Sequence, residues 1–128
     1  MQTPGYVSLW LGRLGSAKQL KDIMRTKYSD DGDFEGSQFS RVYGLGFFNE
    51  SCMEAEFLEQ PSKDLRTLLR GFSYEKAIIP RFSQEVGELT DVYNTVLLLY
   101  NLRYEGDLVE WPVESGFLKF CAVISYEI

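Results

Sequence analysis

The chain has 128 residues, 45% of them apolar and 15% aromatic, which suits one domain spanning 1–128 with its own core and excludes a disordered polypeptide. Nineteen acidic residues against 13 basic ones give a net charge of −6, which disfavours nucleic acid and anionic membranes as partners and favours a basic one. Histidine is absent, so the usual proton carrier at neutral pH and the commonest metal ligand are both missing, and the balance moves from enzyme toward binding protein.

Tyr6 to Leu11 sets Val7, Leu9 and Leu11 against Tyr6, Ser8 and Trp10, apolar on both sides apart from Ser8, and predicts a central strand. Ser16 then caps a predicted helix from about Ala17 to Lys27, with Leu20, Ile23 and Met24 as its apolar stripe. Ser29 to Ser37 concentrates Asp30, Asp31, Asp33 and Glu35 around two glycines without any apolar period, and reads as an exposed loop. Ser37 caps a short helix carrying Phe39, Val42 and Tyr43, which Gly44-Leu45-Gly46 ends.

From Phe47 onward a strand is predicted, with Met53, Ala55 and Phe57 on one face and Cys52, Glu54, Glu56 and Leu58 on the other. Pro61-Ser62 opens a helix with Leu65, Leu68, Leu69 and Phe72 at i, i+3, i+4, i+7 spacing, and Gly71 suits its end. Ser73 starts a further helical segment with Ala77, Ile78, Phe82 and Val86, in which Pro80 predicts a kink or two short helices. Thr95 to Tyr104 and Phe117 to Ile128 are rich in strand formers, with Glu105-Gly106-Asp107 as a turn and Gly116 in a second connection, so three antiparallel strands fit the last third. The order β-α-α-β-α-α-β-β-β argues for an α+β single domain, a mainly antiparallel sheet with helices packed on one face.

Cys52 and Cys121 are far apart and outside any CxxC pair, which predicts two reduced, buried thiols with no metal, redox or disulfide framework. The N-terminus lacks a basic and apolar leader and no apolar run reaches the ~20 residues of a membrane span, so a cytoplasmic location is expected.

The chemistry open to this chain lies in carboxylates. Asp30, Asp31, Asp33 and Glu35 have the composition of a calcium loop but miss its D-x-[DN]-x-[DN]-G spacing, so no metal and no cofactor are expected; a solvated turn or a partner-binding anionic patch remain. Glu54 and Glu56 share a strand face about 6.6–6.8 Å apart along the backbone, a geometry open to acid and base work but common in exposed strands. Gly12-Arg13-Leu14-Gly15 sits between strand and helix like a nucleotide-binding turn, yet fits neither GxGxxG nor GxxxxGK[ST], and reads as a tight connection. Trp10 and Trp111, with Tyr93, Tyr100, Tyr104 and Tyr126, are either core or an exposed hot spot, and the apolar neighbours of Trp10 favour packing there.

The segments Tyr6-Val-Ser-Leu-Trp-Leu-Gly12, Asp31-Gly-Asp-Phe-Glu-Gly-Ser-Gln-Phe39, Met53-Glu-Ala-Glu-Phe-Leu58, Gly71-Phe-Ser-Tyr74 and Tyr93-Asn-Thr-Val-Leu-Leu-Leu-Tyr-Asn101, in this order, resemble the immunity protein 22 family of bacterial polymorphic-toxin systems. The resemblance runs over nearly the whole chain and implies a small α+β protein that binds and neutralises a cognate toxin domain by stoichiometric occlusion. Toxins of such systems are often nucleases with basic clefts, so Asp30, Asp31, Asp33 and Glu35 are the first candidate contacts and Glu54 and Glu56 the second. A carboxylate-dependent enzyme would instead show a deep pocket holding acids of raised pKa, and a structural or adaptor protein a large exposed apolar surface.

Overall fold

The computed structural model describes residues 3–46, 48 and 50–126. Its elements run β1 (Tyr6–Arg13), α1 (Ala17–Met24), β2 (Lys27–Tyr28), β3 (Phe34–Gly36), α2 (Gln38–Val42), a 3-10 turn (Glu50–Cys52), β4 (Met53–Ser62), α3 (Leu65–Leu69), α4 (Glu75–Val86), β5 (Tyr93–Tyr100), β6 (Glu110–Val113) and β7 (Gly116–Ser125). Five strands form an antiparallel sheet in the order β4-β5-β1-β7-β6, and β2 and β3 form a separate hairpin. The α+β class and the expected succession of helices and sheet strands hold, with the small hairpin added between the first two helices.

The two apolar sides of β1 determine how the layers stack. Val7, Leu9 and Leu11 enter one core with Leu68, Leu69, Ile78 and Phe82 of α3 and α4, while Trp10 enters a second core with Leu20, Ile23, Phe39 and Tyr43 around α1 and α2. Helices therefore cover both faces of the sheet, a correction to the expectation of helices on one face. The physical reason is visible in β5 too, where Val96, Leu98 and Tyr100 alternate with Leu97 and Leu99 between the two cores.

In β7 a bulge redirects the alternation. Leu9 pairs with Ala122 but Trp10 pairs with Phe120, leaving Cys121 as the extra residue. Leu118 and Phe120 thus join the Trp10 core while Ala122, Ile124 and Tyr126 join the other, all at even positions, because one inserted residue switches faces. At the start of β7 a side chain on Gly116 would fall on the backbone carbonyl of Arg13, so β1 and β7 approach too closely there for any other residue.

Several boundaries differ from the sequence reading. Helix α1 is capped as expected by Ser16, whose hydroxyl accepts from the Gln19 N–H at 3.1 Å, but it ends at Met24 and Lys27 is in β2. Ser37 caps α2 as expected, its hydroxyl accepting from Ser40 N–H at 3.0 Å. The strand predicted from Phe47 begins at Met53, and Phe47 itself lies outside the described residues. Pro61 and Ser62 belong to β4, and Asp64 caps α3.

Pro80 sits inside a single helix, α4, and does not divide it. Pro80 is exposed, and the buried Ile78, Ile79 and Phe82 contribute about 1.5–3 kcal/mol each, more than the ~3 kcal/mol of the lost hydrogen bond and ring clash. In the last third, β6 and β7 form the expected hairpin, but β5 is not beside them: β1 lies between β5 and β7. Residues 101–109 are thus a long crossing, not a tight turn, and Ser8 pins it, donating to Leu102 O at 2.8 Å and accepting from Tyr104 N–H at 3.1 Å. That explains the one buried polar side chain on β1.

Candidate functional site

The acidic segment forms the tip of the β2–β3 hairpin. Ser29 N–H donates to Asp33 O and Gly32 N–H to Ser29 O, both at 2.8 Å, while the Ser29 hydroxyl accepts from Asp33 N–H at 3.0 Å. Gly32 takes φ +86°, a left-handed conformation that suits glycine. Backbone bonds close the turn, so its carboxylates are left to point outward: Asp30, Asp31, Asp33 and Glu35 are all exposed. Among the described residues no three His, Cys, Asp or Glu side chains converge on a point that would hold a metal ion. What this arrangement offers is a dense anionic surface on a short hairpin, flanked by Tyr28, 60% exposed at its base.

Glu54 and Glu56 follow the predicted alternation on β4. Met53, Ala55 and Phe57 lie against the Trp10 core, and Cys52 and Leu58 against the other. Glu54 is anchored: its carboxylate accepts from the Ser73 N–H at 2.9 Å, the Ser73 hydroxyl at 2.6 Å and the Tyr100 hydroxyl at 2.9 Å. Partial burial pushes this carboxyl upward, but the three hydrogen bonds together outweigh it and hold Glu54 below the usual carboxylate range. Tyr100 is pushed in the opposite direction, first by burial and then by the adjacent Glu54. Glu56 is exposed.

The hairpin lies between α1 and α2, on the Trp10 side of the sheet, whereas Glu54 and Glu56 belong to the α3 and α4 side. The six candidate carboxylates thus form two separate surfaces, and none of them forms an ion pair with another described residue. The acid and base reading also loses its electrostatic support. The carboxyls of Glu54 and Asp64 are both shifted downward, opposite to a neutral general acid at pH 7.

The remaining sequence candidates are structural. The N–H and carbonyl of Leu14 are both held at 2.9 Å by the Asn94 side chain, and the Gly15 N–H by Gln19 at 2.7 Å, so the two amides that follow β1 are already taken and not offered to a phosphate. Trp10 is fully buried in contact with Phe39, Tyr43, Tyr104 and Phe120, and Tyr93, Tyr100, Tyr104 and Tyr126 are buried as well; Trp111 is half-buried. Both thiols are free, and they are half-buried rather than buried; burial pushes Cys121 up to about 11.

Tyr74 was not anticipated from the sequence. It precedes α4 at φ +61°, left-handed for a bulky residue, and is 44% exposed with its ring 5.9 Å from Tyr100 and 5.5 Å from Tyr126. A tyrosine following serine before a helical period carries no signal for such a conformation.

No helix among the described residues is long and apolar enough to cross a membrane. Neither curated proteins nor solved structures give a match. The order of segments from Tyr6 to Asn101 agrees with what a comparison against protein families finds: the Immunity protein 22 model matches residues 7–127, and the chain belongs to that family.

Proposed function

We propose that this protein neutralises a cognate bacterial toxin domain by stoichiometric binding, covering the toxin's basic, substrate-binding surface. The observation that carries the reading is the family match across 7–127. The exposed carboxylates of Asp30, Asp31, Asp33 and Glu35 support it, because an inhibitor that occludes needs surface charge and shape and no reacting group. A basic toxin cleft, such as that of a nuclease, would be steered toward this hairpin, with Glu54 and Glu56 as the second contact surface. On this reading the protein works in the cytoplasm of the toxin-producing bacterium, with no cofactor, nucleic acid or membrane involved.

The test is co-expression with the C-terminal toxin domain encoded beside this chain's gene. Restored growth together with a one-to-one complex in pull-down supports neutralisation by binding. Unrelieved toxicity without a complex overturns it.

A further inference from the structure

The sheet has two edges, and they differ in a way that matters for a partner. Strand β6 is four residues long and carries Pro112, which has no N–H to offer, so this edge is closed to strand pairing. Strand β4 is ten residues long, pairs with β5 on one side only, and has no proline between Met53 and Gln60.

A groove of about 470 Å³ runs beside it, walled on the other side by α3 and the turn that follows, from Thr67 to Phe72. Its floor is formed by every residue from Met53 to Leu58, from both faces of the strand. A pocket over one face of a strand would touch alternate residues. Contact with all six means that the groove follows the backbone edge.

Charge restricts what fits there. Strand β4 carries Glu54, Glu56 and Glu59 and no basic residue. A second copy of this chain pairing edge to edge would set these carboxylates against their own kind at the ~4.5–5.5 Å of cross-strand neighbours, which is unfavourable. A strand with Lys or Arg at every second position would meet Glu54 and Glu56 in register, since both strands share the same two-residue spacing. Glu54 remains anionic through its bonds to Ser73 and Tyr100, and Arg70 across the groove is the one cation in its lining.

We infer that β4 receives an extended, basic segment of the toxin domain, which adds a sixth strand to the sheet and places its cationic side chains against Glu54 and Glu56. This rests on the neutralisation reading above and names its contact. Backbone pairing supplies affinity without regard to sequence, and the alternating glutamates supply the selection.

The experiment is amide hydrogen exchange of this protein, read residue by residue by NMR, alone and with an inactivated form of the toxin domain encoded beside its gene. Strand addition protects alternate amides between Met53 and Leu58, those directed away from β5, slowing their exchange by about tenfold or more. Side-chain docking alone would not produce that period of two. A companion variant, Glu56→Lys, sits at an exposed position and leaves the fold intact by circular dichroism; it is expected to weaken the complex by about tenfold or more. A one-to-one complex in which these amides exchange as in the free protein overturns strand addition and leaves neutralisation standing. Absence of any complex overturns both.

Discussion

Trp10 separates a packing role from an interface role, and its environment sets the size of the effect. The indole is fully buried, with four aromatic rings at centroid distances of 5.0, 5.5, 5.5 and 5.2 Å, from Phe39, Tyr43, Tyr104 and Phe120. Replacing it with alanine removes its burial and those ring contacts at once, a loss of about 3–5 kcal/mol. Yet its Nε1 makes no hydrogen bond of ordinary geometry; the nearby Tyr43 hydroxyl donates toward Val109 O at 3.0 Å and Leu118 O at 3.3 Å, and its oxygen, the acceptor nearest the indole N–H, is not aligned to take it up fully.

An unsatisfied buried N–H costs about 1–3 kcal/mol. Phenylalanine keeps a ring at the centre of the cluster, gives up two carbons worth about 0.8 kcal/mol each, and removes the orphaned donor. Trp10→Phe should therefore lie within about 1 kcal/mol of the wild type. Urea unfolding followed by far-UV circular dichroism measures both variants, and Trp10→Phe should bind the toxin domain as the wild type does. A phenylalanine variant as unstable as the alanine variant would refute the reasoning, because the indole N–H would then have to be earning stability.

Three further outcomes follow from the same groups. Burial raises the pKa of Tyr43, Tyr93, Tyr100, Tyr104 and Tyr126, so their stabilisation is complete below the ordinary phenol range and is lost as pH climbs through and beyond ~10. Tyrosine absorbance at 295 nm should show these five of the eight phenols ionising only together with unfolding, and smooth ionisation in a folded protein would contradict their burial. Glu54 has a lowered pKa, so its contribution is present above the unfolded carboxyl value and disappears as pH falls through the folded one. Glu54→Gln should cost about 0.5–1 kcal/mol at pH 7, a modest value because the group is only partly buried, and close to nothing at pH 3; a penalty independent of pH would contradict the anchoring role. Reversing Asp30, Asp31 and Asp33 to lysine should slow toxin association by about tenfold in dilute buffer and much less at 0.5 M salt, measured by stopped-flow; equal rates across that range would remove the steering role of the hairpin.

Local rules carried the reading of this chain a long way. Caps at Ser16 and Ser37, the alternation of Met53 to Leu58 and the apolar runs of β1, β5 and β7 each depend on neighbours within a few residues, and each is present, although the strand expected over Thr95–Tyr104 runs from Tyr93 to Tyr100. What escaped depends on contacts far along the chain. That β1 lies between β5 and β7, with α1 and α2 on one side of the sheet and α3 and α4 on the other, follows from packing two apolar faces, an arrangement among segments far apart in the chain. The bulge at Cys121 has no mark in a continuous apolar run, because every residue near it suits either face. The hairpin around the acidic loop pairs only Lys27–Tyr28 with Phe34–Gly36, too few residues to show a period.

The candidate contacts were legible as charges and not as surfaces. Sequence placed Asp30, Asp31, Asp33 and Glu35 in an exposed loop, and all four are exposed, though Glu35 lies in strand β3; it also paired Glu54 with Glu56 on one face. It gave no sign that Glu54 is tied to Ser73 and Tyr100, 19 and 46 residues away, or that β4 is an open edge. Tyr74 escaped for the same reason, since its left-handed backbone is set by the turn into α4 and its ring by Tyr100 and Tyr126.

The most direct test of neutralisation by binding is a titration of toxin activity in vitro against increasing amounts of this protein. The account predicts a fall in proportion to added protein that reaches zero at one equivalent, at once and without dependence on incubation time. Complete, time-dependent loss of activity at a small fraction of an equivalent would mean that the protein inactivates the toxin catalytically, and would contradict it.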